Sequence, residues 1–382
     1  MIHYGLVLSG GGARAAYQAG VLKGLAQVLS SRGIKLSFSV ISGVSAGAIN
    51  SAYLASYATE LRDASHELCE LWSKLTIEQV VQTHWTTLGK IGVRWLRDLS
   101  LGGVLGNSRS TFLLDASPLY RLLESQIRFS EITKFIEKGV LKALAVSVLN
   151  YRTGTGISFF EGAAGLLPWV RSSRLGQRTK LTLAHIMASA SIPVLFAPVR
   201  IGHTYYGDGG IRLLTPLSPA IRLGADRIVA IGIRSALSDQ LTWEENQTRE
   251  MHQICLADIA GAMLNAALLD HLDADLERLQ RINQTVSLLS PQARAVHPYP
   301  LRVIPTLMIR PSQDLGTLAS EQFHRFPLTL RYLMRGIGAS DLKGWDLLSY
   351  LAFDQTYCRL LIDLGLQDVS ARKEEILRFF SV

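Results

Sequence analysis

One short stretch of the sequence has the residue types and spacing for nucleophilic chemistry. Residues 38–41 predict the end of a buried strand, and residues 43–47 then read Gly-Val-Ser-Ala-Gly before small, helix-compatible residues. A G-x-S-x-G pattern between a strand and a helix is typical of a nucleophile elbow, in which Gly43 and Gly47 let the two elements pass closely and the serine hydroxyl is exposed at the helix N-terminus. This pattern predicts Ser45 as a nucleophile. Taken alone, five such residues also fit an ordinary loop.

Two other glycine-rich turns favour the catalytic interpretation. The first, which we call the glycine turn, consists of Gly10, Gly11 and Gly12 and follows a predicted strand. The second reads Gly-Asp-Gly-Gly at 207–210 and leaves the carboxylate of Asp208 at the end of an extended run. Parallel strands would bring all three turns to one edge of a sheet, where ligands bind in α/β proteins. Asp-Gly-Gly is also a common turn in which the carboxylate only caps the backbone, so the upstream elbow is what makes this carboxylate a catalytic candidate.

Strands alternate with helices along the first 235 residues, which predicts an α/β sheet. The glycine turn leads into a helix with one apolar face, and the strand that ends at the elbow completes a βαβ unit. Further strands are predicted at 142–149, 157–160 and 227–233, and a short helix at 182–190. Arg14 lies in the first turn of the first helix, where a cation opposes the helix dipole. An anionic substrate or a developing charge would explain this position, and so would a structural ion pair or a solvated arginine.

Two regions have a mainly helical pattern. Residues 59–123 predict a helical cap inserted within a catalytic domain at 1–235, and no strand is predicted in this cap. Residues 236–382 predict a helical C-terminal region with one late strand, at 299–309, that completes the domain.

A segment within the cap has an amphipathic pattern. Its apolar residues, between Trp85 and Leu99, fall on one side of a helical wheel, and Lys90, Arg94 and Arg97 fall on the other. The pattern favours an ordinary cap helix that packs on the domain. The alternative is a lid or a peripheral contact with an anionic membrane surface.

Composition indicates a globular protein and excludes several classes. Of the 382 residues, 48% are apolar and 18% are charged, which is not the composition of a disordered chain. No apolar run is long enough for a transmembrane helix, and the N-terminus lacks the features of a secretory signal, so we expect a cytoplasmic protein. The formal charge of +8 favours an anionic partner such as a phospholipid surface, and no nucleic-acid-binding module is visible. The three cysteines are far apart and no cluster has metal-ligand spacing, so we expect no metal.

In combination, the three turns resemble the motifs of the patatin-like phospholipase family. That family carries a G-G-G-x-R/K-G turn, a G-x-S-x-G elbow and a D-G-G/A motif in this order, and the chain has GGGARAA from residue 10, GVSAG from residue 43 and GDGG from residue 207. The resemblance also covers Ala188–Pro193 and the strand after Asp208, and so extends over about the first 230 residues. It implies a three-layer α/β fold with a central, mostly parallel sheet flanked by helices. Ala15 departs from the family because it replaces the last glycine of the first motif.

The resemblance implies a catalytic dyad of Ser45 and Asp208. A serine hydroxyl becomes a good nucleophile when a neighbour takes its proton, and a carboxylate within about 3 Å can do so directly. The backbone N–H groups of the glycine turn would form the oxyanion hole for the negative oxygen that develops during attack on an ester. Arg14 would brace this turn or the charge. By the same resemblance, the two catalytic turns are supported by Gly43, Gly47, Gly209 and Gly210.

Two alternative sites fit the sequence less well. A Ser-Asp-His triad would use His297 or His324, which have a suitable chain order but lie in no recognisable motif. His203 is nearer to Asp208 and is predicted to point from the strand before it. A nucleotide site is not expected either, because the glycine turn lacks the Lys-Ser/Thr of a P-loop and the acidic residue of a dinucleotide fingerprint.

The residues and the resemblance together predict a serine hydrolase that cleaves fatty acyl esters of a lipid, with a phospholipid as the expected substrate, through an acyl-enzyme on Ser45. No cofactor is expected. The same apparatus also suits neutral acylglycerols, acyl-thioesters or transfer to an acceptor other than water. An alternative from a different class is a catalytically silent lipid-binding or partner-binding protein on this fold. The sequence does not indicate an oligomeric state.

Overall fold

A central sheet organises the computed structural model, which describes residues 2–82, 89, 112–235, 243–244, 254–296, 301–325, 327–339 and 344–381. Within these ranges the sheet has ten strands. Five neighbouring strands run parallel in the spatial order β12 (Thr306–Ile309), β11 (Arg227–Ile231), β1 (Tyr4–Leu8), β2 (Val40–Val44) and β4 (Ala143–Asn150). Every residue of β2 and β4 is buried, as expected for parallel strands that are covered on both faces.

Beyond β4 the sheet is mixed, with both parallel and antiparallel pairs. The strand β5 (Gly156–Gly162) is antiparallel to β4, β7 (Arg174–Arg178) is parallel to β5, and β6 (Trp169–Arg171) is antiparallel to β7. A hairpin of β9 (Val199–Ile201) and β10 (Thr204–Asp208) joins the sheet because β10 pairs with β4 in the antiparallel direction. A separate two-stranded sheet is formed by β3 (Phe112–Leu114) and β8 (Val194–Phe196).

Helices cover both faces of the sheet. One face packs in the larger core against α1 (Ala16–Ser30), α2 (Ala46–Ala55), α3 (Leu61–Ser73), α7 (Leu183–Ser189), α15 (Gln355–Ala371) and α16 (Lys373–Phe380). The opposite face packs in a smaller core against α8 (Ser218–Arg222) and α10 (Asp270–Ser287). The other helices are α4 (Ile77–Val80), α5 (Ser117–Gln126), α6 (Phe129–Glu137), α9 (Leu256–Leu268), α11 (Pro291–Val296), α12 (Leu315–Ser320), α13 (Leu328–Gly336) and α14 (Trp345–Leu351).

The described C-terminal elements share the core of the N-terminal ones. The strand β12 extends the parallel sheet, and α15 lies directly along α1. The two helices are so close that a methyl group on Gly365 would lie 2.6 Å from the Tyr17 carbonyl oxygen. The Tyr17 hydroxyl also donates a 2.8 Å hydrogen bond to Asp368. These contacts fix the C-terminal helices on the same side of the sheet as the elbow helix α2.

The three-layer α/β fold with a mostly parallel sheet and a helical C-terminal region is confirmed. The prediction of no strand at 59–123 is wrong, because β3 lies there; it is only three residues long and gives no clear periodicity. The late strand begins at Thr306 instead of 299, because Pro305 cannot donate a ladder hydrogen bond. The amphipathic segment between Trp85 and Leu99 lies outside the described residues except for position 89, as does His297. None of the described helices is both long and apolar enough to cross a bilayer.

Candidate active site

Ser45 lies at the turn between β2 and α2. Its backbone has φ 55° and ψ −132°, and a positive φ is strained for a residue that carries a Cβ. Close backbone contacts hold this turn, because a methyl group on Gly43 would clash with the Gly47 carbonyl and one on Gly47 would clash with the Leu8 carbonyl. Ser45 is only 2% exposed. The elbow is therefore a strained and tightly packed turn, with its serine at the N-terminus of α2.

Asp208 lies beside the elbow because β10 pairs with the same edge of β4 as β2 does, but runs in the opposite direction. The strand β2 pairs with β4 as far as Val44, which is opposite Ser147. The next position of that edge, Val148, pairs with Asp208 of β10, while β5 occupies the other edge. Because β2 and β10 run in opposite directions, their carboxyl ends meet at adjacent positions of β4. This corrects the expectation that parallel strands bring all three turns together: β1 and β2 are parallel, but the carboxylate arrives on an antiparallel hairpin.

The Asp208 carboxyl is fully buried, with 0% exposure. Its Oδ1 accepts a 2.8 Å hydrogen bond from the Gly210 N–H. Burial raises the pKa of Asp208 from 3.8 to about 7, and hydrogen bonding from Ser45 and from the Gly210 N–H opposes part of this rise. Oδ2 has no hydrogen-bond partner of regular geometry among the described residues. One carboxyl oxygen is thus held, and the other is unpartnered.

Gly209 and Gly210 continue the chain from Asp208 in a 3₁₀ turn at Gly209–Arg212. A methyl group on Gly209 would clash with the backbone of Ser147, and one on Gly210 would clash with the Leu268 side chain. The two glycines therefore let the turn at 207–210, which we call the carboxylate turn, pack directly on β4 and α9.

Ser189 connects the elbow to β4, and no motif in the sequence indicates this role. The Ser45 N–H donates to Ser189 Oγ at 2.9 Å, and Ser189 Oγ donates to the Ser147 carbonyl at 2.6 Å. The hydroxyl links the two strands at the point where β2 turns away from β4 and direct backbone pairing ends. Ser189 is the last residue of α7 and lies within Ala188–Pro193, a stretch that the family resemblance covers without assigning a role to any residue.

The glycine turn lies beside the elbow. A methyl group on Gly10 would lie 2.7 Å from the Ser45 Cβ. Within the described ranges, the N–H groups of Gly10 and Gly11 donate no hydrogen bond. Gly12 has φ 58°, and a methyl group there would clash with the Tyr350 carbonyl, so α14 packs against the far side of the turn. The turn thus has amides that are free to bind a ligand and a backbone that is fixed by its neighbours.

Arg14 joins the glycine turn to two C-terminal helices. Its buried guanidinium makes a 2.8 Å ion pair with Asp346 and donates from Nε to Ser349 Oγ at 2.7 Å. It also lies 4.8 Å from the centre of the Tyr350 ring and contacts Asn265 of α9 at 3.5 Å. The sequence leaves open an anionic substrate, a developing charge, a structural ion pair or a solvated arginine, and the structure shows the ion pair. Through this pair, Arg14 connects the glycine turn to α14.

An apolar cavity opens on Ser45. Besides Ser45 and Gly12, its lining is hydrophobic and includes Ile49, Trp72, Leu75, Leu119, Leu123 and Phe353. No charged side chain is among its described lining residues. The cavity is therefore suited to a hydrocarbon chain next to the serine.

None of the described histidines hydrogen-bonds Ser45 or Asp208. His324 is exposed in a 3₁₀ turn, and His203 is exposed between β9 and β10. The buried His185 caps α7 through Thr182, and burial lowers its pKa to about 4. In the part of the chain that the structure describes, no group of three or more His, Cys, Asp or Glu side chains is placed to hold a metal.

A family model described as patatin-like phospholipase matches residues 6–221. The match includes the glycine turn, the elbow and the carboxylate turn, and it covers more than half of the 382 residues. Among proteins with curated functions, none matches the sequence.

Several solved structures are similar to this one at low sequence identity. VipD from Legionella pneumophila is 14% identical with a TM-score of 0.34, and the match covers 97% of this chain and 67% of that chain. Human GIVD cytosolic phospholipase A2, in complex with the inhibitor methyl gamma-linolenyl fluorophosphonate and terbium chloride, is 14% identical with a TM-score of 0.36 and coverages of 98% and 60%. A chain of the SpcU–ExoU complex from the type III secretion system of Pseudomonas aeruginosa is 14% identical with a TM-score of 0.28 and coverages of 91% and 76%. This chain spans only 60 to 67% of the first two of these proteins.

Proposed function

The chain belongs to the patatin-like phospholipase family, and from this membership we propose that it is a serine hydrolase that cleaves a fatty acyl ester bond of a phospholipid. In this proposal Ser45 is the nucleophile and Asp208 is the base. The observation that carries it is the end-to-end meeting of β2 and β10 along β4, which brings a strained serine and a fully buried carboxylate to adjacent positions.

In the first half-reaction, Ser45 Oγ attacks the ester carbonyl carbon while Asp208 takes the hydroxyl proton. A general base works best when its pKa lies near the working pH. Burial raises the pKa of Asp208 to about 7, so the ionised form is present at neutral pH and is a stronger base than an exposed carboxylate. The proton goes to Oδ2, the oxygen without a regular partner. It then passes to the alcohol oxygen as the C–O bond breaks and the acyl-enzyme forms.

The negative oxygen of the tetrahedral intermediate binds the amides of the glycine turn. This assignment is supported by the packing of Gly10 against Ser45 and by the N–H groups of Gly10 and Gly11, which have no other acceptor in the described ranges. Donors that are already in place stabilise the transition state without reorganisation, and losing one typically costs about a hundredfold or more in rate. Arg14 and α14 keep the turn in place from behind.

In the second half-reaction, Asp208 takes a proton from water, and the resulting hydroxide attacks the acyl carbon. The bond from this carbon to Ser45 Oγ then breaks, Asp208 returns the proton to Oγ, and the fatty acid is released. The fatty acyl chain occupies the apolar cavity in both steps. An apolar cavity with no charged side chain among its described lining residues favours a hydrocarbon chain over a polar acyl group.

The choice of a phospholipid as the substrate is supported by the family and by the formal charge of +8, which favours approach to an anionic lipid surface. Neutral acylglycerols, acyl-thioesters and acyl transfer would use the same serine and carboxylate. A catalytically silent lipid-binding protein would keep the cavity but not the reactivity.

Labelling with a fluorophosphonate probe tests the proposal. Wild type should be labelled, Ser45→Ala should not, and Asp208→Asn should be labelled at least about a hundredfold more slowly because no base takes the proton. Ser73→Ala, at a half-buried serine that ends α3 and lies outside the site, is the matched control and should be labelled like wild type. Folded wild-type protein that is not labelled would favour the silent binding protein. Full activity in Asp208→Asn together with its loss in His324→Ala would contradict the dyad.

Purified enzyme with defined phospholipid, triacylglycerol and acyl-CoA substrates then identifies the ester. Release of fatty acid from phospholipid is the expected result. Turnover of only triacylglycerol or acyl-CoA would reject the phospholipid assignment and leave the dyad in place.

A further inference from the structure

A second cleft lies on the side of the sheet that carries α8 and shares no lining residue with the apolar cavity. Three arginines line it: Arg171, Arg174 and Arg212. None of the described residues that line it is acidic. Its other polar lining side chains are the hydroxyls of Ser147, Ser158, Thr215 and Ser218. The cleft thus combines concentrated positive charge with neutral hydrogen-bond donors.

Two of these arginines stand directly opposite each other in a hairpin. Arg171 ends β6, Arg174 begins β7, and the two form a cross-strand pair. Like charges at directly opposed positions destabilise an antiparallel pair. The turn between them also holds Ser173 at φ 56°, in the left-handed region that is unfavourable for a serine. An anion bound between the two guanidinium groups would be attracted by both.

Arg212 belongs to a different element, the 3₁₀ turn that follows Asp208. Its Nε donates to the Gly154 carbonyl at 2.9 Å, and Arg174 donates to the Thr215 hydroxyl. Both arginines are therefore positioned by neutral acceptors, and neither forms an ion pair with a carboxylate in the described part of the chain.

One carboxylate, Asp275, is within electrostatic range of Arg174 but does not line the cleft. Its Oδ2 accepts a 2.9 Å hydrogen bond from the Leu217 N–H, and burial raises its pKa to about 6. The carboxylate of Asp275 therefore does not occupy the cleft.

We propose that this cleft binds a phosphate-type oxyanion through the guanidinium groups of Arg171, Arg174 and Arg212, assisted by the cleft hydroxyls. A guanidinium group can bind phosphate through two parallel hydrogen bonds, which the planar fork of arginine favours over a lysine ammonium. The bound anion would connect the β6–β7 hairpin to the turn after Asp208, because each supplies part of the site. The same chemistry recognises free phosphate and the headgroup of phosphatidic acid.

Calorimetric titration with inorganic phosphate at constant ionic strength tests the free anion. Wild type should bind saturably, and Arg174→Gln and Arg212→Gln should each bind roughly tenfold or more weakly because a charged hydrogen-bond donor is lost. Arg200→Gln is the matched control, since Arg200 is exposed on β9, hydrogen-bonds the Gly202 carbonyl and does not line the cleft. If a glutamine variant fails to fold, the corresponding lysine variant keeps the charge without the fork and should bind with intermediate affinity.

Co-sedimentation with phosphatidylcholine vesicles, with or without ether-linked phosphatidic acid, tests the lipid headgroup. The ether lipid has no ester to hydrolyse, so this result does not depend on the proposed reaction. Phosphate binding that is lost in both glutamine variants supports a free-anion site. Vesicle binding that requires phosphatidic acid and is lost in the same variants supports a headgroup site. Wild type that binds neither ligand, or glutamine variants that bind both as wild type does, would overturn the proposal.

Discussion

Replacing Asp208 by asparagine should stabilise the fold at neutral pH, by an amount that grows with pH. Burial raises the pKa of this carboxyl from 3.8 to about 7 in the folded protein, so the folded state holds more protons than the unfolded state between these values. Wild-type stability therefore falls as pH rises through this window. The full penalty above pH 7 is about 4 kcal/mol, since the difference is about three pKa units at about 1.4 kcal/mol each. Asparagine cannot ionise and does not carry this penalty.

Urea unfolding of wild type and Asp208→Asn at several pH values measures this effect. The difference in free energy of unfolding should grow by about 2–3 kcal/mol between pH 5 and pH 8, in favour of the variant. The hydrogen bond from the Gly210 N–H is retained, because the asparagine side chain keeps an acceptor oxygen. Asp63→Asn makes the same chemical change at an exposed position of α3 and controls for it. If the difference between wild type and Asp208→Asn were the same at every pH, the carboxyl would not have a raised pKa and its assignment as a base near neutrality would be wrong.

Three further outcomes follow from the site. Ser189→Ala should lower the fluorophosphonate labelling rate by roughly 10- to 100-fold, because the buried Ser45 N–H loses its acceptor. The control Ser191→Ala, whose hydroxyl donates to the Met187 carbonyl of α7, should not. Gly10→Ala should lower labelling at least about a hundredfold in protein with normal circular dichroism, since the added methyl group lies 2.7 Å from the nucleophile's Cβ. Leu123→Trp should move the preference in kcat/KM toward shorter acyl chains by filling the apolar cavity, and an unchanged preference would place the acyl chain elsewhere.

The local part of the site could be predicted because it depends on a few neighbouring residues. A G-x-S-x-G pattern after an apolar run defines a sharp turn by the size of its own side chains, and Ser45 has the positive φ that such a turn requires. The parallel strands are short buried runs, and their alternation with helices predicts the layers of the fold. These features need no knowledge of distant partners.

The remaining features depend on pairing between distant segments, which leaves no pattern in the sequence. An extended run before Asp208 looks the same whether its strand is parallel or antiparallel to β4. Ser189 acquires its position only because β2 and β4 separate next to α7. Nothing near Arg14 indicates that it pairs with Asp346, more than 300 residues later. The sequence predicts helices in the C-terminal region, but it does not predict that one of them contacts the glycine turn.

The burial of Asp208 explains how a carboxylate can act as a base here without a histidine. Imidazole is the usual base at neutral pH because its pKa is about 6.5, whereas an exposed aspartate is too acidic to take a proton from serine efficiently. Complete burial moves the pKa of Asp208 to about 7, into the range of imidazole. Each hydrogen bond to the ionised form opposes this shift, so a carboxylate with both oxygens fully bonded would be a weaker base. In Asp208 the hydrogen bonds from Ser45 and from the Gly210 N–H orient the carboxyl group and offset only part of the rise that burial causes, so the group stays basic enough to act near neutral pH.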